Sequence, residues 1–68
     1  MSHWTDRYIL AHSGISGIVR ACRAPGCHFR LFTRRPPRPG RGWGFREGNK
    51  QRGAMIQHIK NAHADLQP

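Results

Sequence analysis

The sequence predicts a small α+β fold: a β-hairpin, with or without a third strand, packed on one C-terminal α-helix. Three observations point there. Two β-compatible runs, "GIVRAC" and "CHFRLF", flank a short turn, and the segment "NKQRGAMIQHIKNAHADL" repeats apolar residues at helical spacing. A pair of cysteines sits in the turn and a pair of histidines in the helix. The chain has 68 residues and is 37% hydrophobic, too little for a core to hold by itself without a disulfide, a metal or a partner.

In chain order, residues 1–16 come first, as an N-terminal arm whose "WTDRYILAH" suits a short strand or a segment that orders on binding. Its longest apolar stretch, "YILA", is far shorter than a signal-peptide core or a membrane span. The chain is therefore expected to be a whole intracellular polypeptide, cytoplasmic and monomeric. Its thiols are then expected to be reduced rather than bridged. Residues 17–66 form the predicted domain. Within it, Pro25 and Gly26 suit a tight turn between the strands, and "PPRPG" marks a loop of restricted entropy. Asn49 after Gly48 reads as the helix N-cap. At about 100° per residue, Met55, Ile59, Ala62 and Leu66 share one stripe, with His58 and His63 on its two flanks. Gly53 weakens this helix by about 1 kcal/mol relative to alanine.

Cys22 and Cys27 are separated by four residues, as are His58 and His63. Both pairs have metal-ligand spacing, and two thiolates with two neutral imidazoles form a closed tetrahedral shell for one structural zinc ion (Zn2+). Residues five apart on an ideal helix diverge by about 140°, so the last turn is expected to tighten or unwind to bring both imidazoles together. His28 adjoins Cys27 and is the main rival ligand. Strand alternation turns it to the opposite face. His12 is a weaker rival, and His3 belongs to the terminal tail.

These residues resemble the C2H2 zinc finger, a ββα unit. Cys22, Cys27, His58 and His63 match its four ligand positions, and Leu31 and Met55 match its two apolar positions. The likeness spans roughly residues 17–66 and implies a zinc-stapled hairpin and helix. The family separates its second cysteine and first histidine by about a dozen residues. Here thirty intervene, which reads as an Arg/Pro/Gly-rich insertion, 33–48, between hairpin and helix. The base-reading code of tandem fingers does not transfer to such a helix.

Twelve basic residues oppose three acidic ones, for a net charge of +9, and all the basic residues but Lys50 and Lys60 are arginine. Arginine favours bidentate phosphate contacts and stacking, and this charge density attracts polyanions. Arg34, Arg35, Arg38, Arg41, Arg46, Lys50 and Arg52 fall in one segment, opposed there by Glu47 alone. "RGWGFR", 41–46, resembles the RNP1 submotif of RNA-binding sheets, without the other strands of that fold. Trp43 and Phe45 then either stack bases or pack as a third strand on Phe29 and Leu31. Asp6, Glu47 and Asp65 are dispersed, and no nucleophile–base arrangement is legible, so catalysis is not expected. The expected function is DNA or RNA binding through the arginine-rich insertion. The alternative is a zinc-stabilised protein-interaction module whose basic face meets an acidic partner.

Overall fold

The computed structural model describes residues 3–68. A 3-10 helix, Trp4–Tyr8, leads into β1 (Ile9–Ser13), β2 (Gly17–Cys22), β3 (Arg30–Arg34) and α1 (Trp43–Ala62), and a 3-10 turn, Ala64–Leu66, ends the fold. The strands make one antiparallel sheet in the order β1-β2-β3, with α1 packed on one face. The architecture is the predicted small α+β fold of ββα type, and its third strand comes from the N-terminal segment.

Alternation along the strands decides which residues meet the helix. Ile9 pairs with Cys22, Arg20 with Leu31 and Ile18 with Thr33, and this set lies under α1. Leu10, His12, Val19, Ala21 and Phe32 occupy the other face, which no described element covers. Leu10 and Phe32 there remain 52% and 57% exposed. The core under α1 is small: Cys22, Ala24, Met55 and Ile59 are buried, with Trp4, Tyr8, Ile9, Leu31 and Leu66 packed around them. The N-terminal 3-10 helix thus covers one flank of the core.

Several expectations need correction. The helix begins at Trp43 rather than at Asn49, from a Gly42 N-cap in the left-handed region (φ 76°). Trp43 and Phe45 therefore lie in its first turn, not on a strand, and neither packs as a third strand. The connector between hairpin and helix is residues 35–42, and the rest of the expected insertion belongs to β3 and α1. Gly44 and Gly48 disfavour a helix locally by about 1 kcal/mol each, which is why the local sequence points to a start at Asn49. Continuity with the packed turns below overrides that cost. The buried helical stripe is Gln51, Met55 and Ile59, whereas Ala62 is exposed. The polar member has its partners: Gln51 Nε2 donates to the Ile18 carbonyl at 3.0 Å and to Thr33 Oγ1 at 2.9 Å, pinning α1 to β2 and β3.

Candidate metal centre and basic surface

The β2–β3 connection builds the first half of the centre. Cys27 N–H donates to the Ala24 carbonyl at 3.0 Å, closing a turn with Pro25 and Gly26 at its centre. Gly26 has φ 77°, the left-handed value a type II turn requires at that position. The turn is anchored on both sides: Cys22 N–H donates to the Phe29 carbonyl at 2.8 Å, and Arg23 N–H to the Tyr8 carbonyl at 2.7 Å. This folds Cys27 back beside Cys22, and both are free thiols.

The second half comes from the end of α1. The helix stops at Ala62, and His63 leaves helical geometry at φ −129°, ψ 38° while its N–H still donates to the Ile59 carbonyl at 2.8 Å. The expected loosening of the last turn is present, and it brings the imidazoles of His58 and His63 to a centroid distance of 5.3 Å. One donor atom from each of Cys22, Cys27, His58 and His63 lies within 4.8 Å of all the others. Cys27 Sγ and His58 Nε2 are 3.4 Å apart. A zinc tetrahedron with bonds of about 2.0–2.3 Å has edges of roughly 3.3–3.8 Å, so a small contraction completes the fit. His63 Nε2 is buried with no hydrogen-bond partner among the described residues, an orphan that a cation would satisfy. His28 is exposed and stands outside the cluster, as does His12 on β1.

The electrostatics suit a soft cation. Burial pushes the Cys22 thiol above its ordinary value, opposed by a hydrogen bond at the Ala24 backbone and reinforced by neighbouring Cys27. Burial pushes His58 below its ordinary value, reinforced by His63. The His58 imidazole thus favours the neutral form, the form that ligates, and a cation beside the Cys22 thiol would oppose the effect of its burial. Phe29 stacks on His58 at 4.0 Å between centroids and 17° between planes, fixing the imidazole's plane. In the sequence Phe29 reads only as a strand aromatic; nothing in its spacing ties it to His58.

The basic residues lie elsewhere. Arg34, Arg35, Arg38, Arg41 and Arg46 are exposed, on β3, on the connector and on the first turn of α1. Phe45 is 76% exposed and Trp43 is half-buried. Among the described residues the salt bridges are Lys50–Glu47 at 3.6 Å and Arg52–Asp6 at 3.1 Å, so these two cations are partly neutralised. Arg20 carries no distinguishing signal in the sequence, yet it faces α1, and its Nε is buried without a partner among the described residues. No helix among the described residues is long and apolar enough to cross a membrane.

A ββα-type fold with a Cys2His2 cluster is what the residues define. No family model matches the chain, and neither a curated protein nor a solved structure matches it.

Proposed function

We propose that this chain is a zinc-stapled protein that binds nucleic acid. Cys22, Cys27, His58 and His63 would hold one Zn2+, whose role is to tie the hairpin to the helix. Four protein donors leave that ion no open position, so we read the chain as a binding protein and not an enzyme. The observation that carries the nucleic-acid reading is the arginine set Arg34, Arg35, Arg38 and Arg41. All four are exposed, and no carboxylate among the described residues lies in salt-bridge range of them. Unpaired guanidiniums on a small body make phosphate-dominated contacts of low sequence preference.

The test is binding of short DNA and RNA by zinc-loaded protein across a salt series. Affinity should fall linearly in a log–log plot, with a slope of about −0.7 to −0.9 per phosphate contact. Replacing the four arginines by glutamine should flatten the slope and leave the fold intact. Absence of binding at low salt would transfer the case to a protein partner. The open sheet face, with Leu10 and Phe32 half-exposed, is the observation that favours that second reading.

A further inference from the structure

At the end of α1 away from the cysteines, a groove of about 690 Å³ opens between the β1–β2 turn and the start of the helix. Arg20, Arg35, Trp43, Gly44 and Gly48 are among its walls, and no acidic residue among the described residues lines it. Its size falls within the roughly 300–1,000 Å³ of small-ligand pockets.

We infer that this groove seats a single nucleotide, Arg20 and Arg35 holding its phosphate and Trp43 its base. The inference deepens the nucleic-acid reading and rests on it for the source of the nucleotide. Arg20 is the main argument. It projects from the central strand into the space under α1, and its Nε is buried with no hydrogen-bond partner among the described residues. A buried donor without an acceptor is costly, so the side chain gains by turning Nε into the groove it lines, where a phosphate oxygen is the acceptor its fork geometry fits. The guanidinium lies over Gly48, where a Cβ would sit 3.8 Å from Arg20 Nη2. Gly44, one turn earlier, has nothing within 4 Å of where its Cβ would be. Two glycines on one helix face thus leave the groove floor bare. Arg35, its backbone held by an N–H bond to the Ser16 carbonyl at 3.0 Å, supplies a second cation to the lining. The helix starts here with no side-chain cap and no acidic residue in its first turn, so its own dipole adds to the positive field. Trp43 is half-buried at the wall and presents the kind of aromatic surface on which any base stacks.

The experiment uses zinc-loaded Trp4→Phe protein, so that Trp43 alone emits. Adenosine monophosphate, inorganic phosphate and a short oligothymidylate are titrated separately, followed by fluorescence and by amide shifts. Seating in the groove predicts quenching by the mononucleotide and the oligonucleotide, with shifts at Gly44 and Gly48. Arg20→Gln should weaken the mononucleotide at least tenfold. Because Arg20 is partly buried, Gly44→Leu serves as a second variant: it fills the groove, favours the helix and removes no charge, and it should abolish the quench with spectral dispersion retained. Oligonucleotide binding unchanged in both folded variants, with no groove shifts, overturns the pocket and leaves the general nucleic-acid reading standing. Mononucleotide binding in the groove with no oligonucleotide binding does the reverse, pointing to a free nucleotide. Phosphate matching the mononucleotide in affinity and shifts reduces the groove to an anion site and overturns the base seat, as does binding by neither.

Discussion

At the C-terminal end of α1, four side chains approach to within 4.8 Å of one another, whereas at its N-terminal end Arg20 and Arg35 line an open groove. The first group converges: two thiols and two imidazoles can be satisfied together by one cation. The second is a pair of like charges lining an open space, and one anion can satisfy them together. On the proposed function, one end would lower the free energy of the fold and the other that of a complex. A helix of 20 residues, about 30 Å long, keeps the two far enough apart to be perturbed separately. Stability should then respond to changes at the cysteines and be nearly indifferent to changes at the arginines.

The largest expected effect is removal of the staple. A structural zinc contributes on the order of 10 kcal/mol, comparable to the entire stability of a small domain. Chelation, Cys22→Ala or His58→Ala should each collapse the dispersed amide spectrum, while His28→Ala leaves it intact. A metal-free chain with an unchanged spectrum would sink the comparison at its root, because the cluster would then be no more than packed side chains.

Next come two tests of the scaffold between the ends. Met55 is fully buried, and Met55→Ala should cost about 2–5 kcal/mol by urea denaturation of the zinc-loaded protein. Gly17 begins the central strand at φ 152°, and a Cβ there would collide with the Thr33 carbonyl oxygen. Gly17→Ala should therefore lower stability by a similar amount, and both variants should keep the oligonucleotide affinity of the fraction that remains folded.

What is legible in the sequence divides along the same line. The spacing of Cys22 with Cys27 and of His58 with His63, and the helical recurrence of Met55 and Ile59, are local patterns whose meaning survives folding. The hairpin is legible because Pro25 and Gly26 dictate their own turn. The helix start is not. Gly44, Gly48 and Asn49 each look like an end when read locally, and only burial of Gln51 and the turns below it keeps the chain helical through them. Arg20 is invisible for a different reason: in "GIVRAC" nothing distinguishes an arginine turned toward the helix from one turned to water. The third strand follows from pairing of β1 with β2, a non-local event to which "YILAH" offers little β signal beyond its own aromatic and branched residues.

Acidification should act on the metal end. His58 has a folded-state value below its ordinary 6.5, so the unfolded chain binds that proton more readily. Stability is therefore present above about pH 6.5 and is lost as pH falls through the window below it, by at most about 1.4 kcal/mol per unit for this proton. Zinc occupancy falls in the same direction, since protons compete for the ligands. Urea midpoints at pH 7.5 and 5.5 test this. Arginine does not titrate in that range, so the arginine contribution to the salt slope of oligonucleotide binding by folded protein should stay constant. A midpoint independent of pH would remove His58 from the centre.

The smallest effect is the most discriminating, because the two ends should respond with opposite sign. Asp6 pairs with Arg52 at 3.1 Å across the N-terminal 3-10 helix and α1, and its Oδ2 also accepts from His3 N–H at 3.1 Å. Asp6→Asn keeps an acceptor for that N–H and removes the charge. The Arg52 side chain of the pair is 47% exposed, so loss of the ion pair should cost well under about 1 kcal/mol. The same change frees Arg52 and adds one positive charge to the surface, which should raise oligonucleotide affinity at low salt and steepen its salt dependence by up to about one phosphate contact. A double-mutant cycle with Arg52→Gln isolates the pair, and the affinity gain should vanish in the double variant. If Asp6→Asn instead weakens stability and binding together, the N-terminal helix couples the two ends of α1, and the separation of a folding end from a binding end fails.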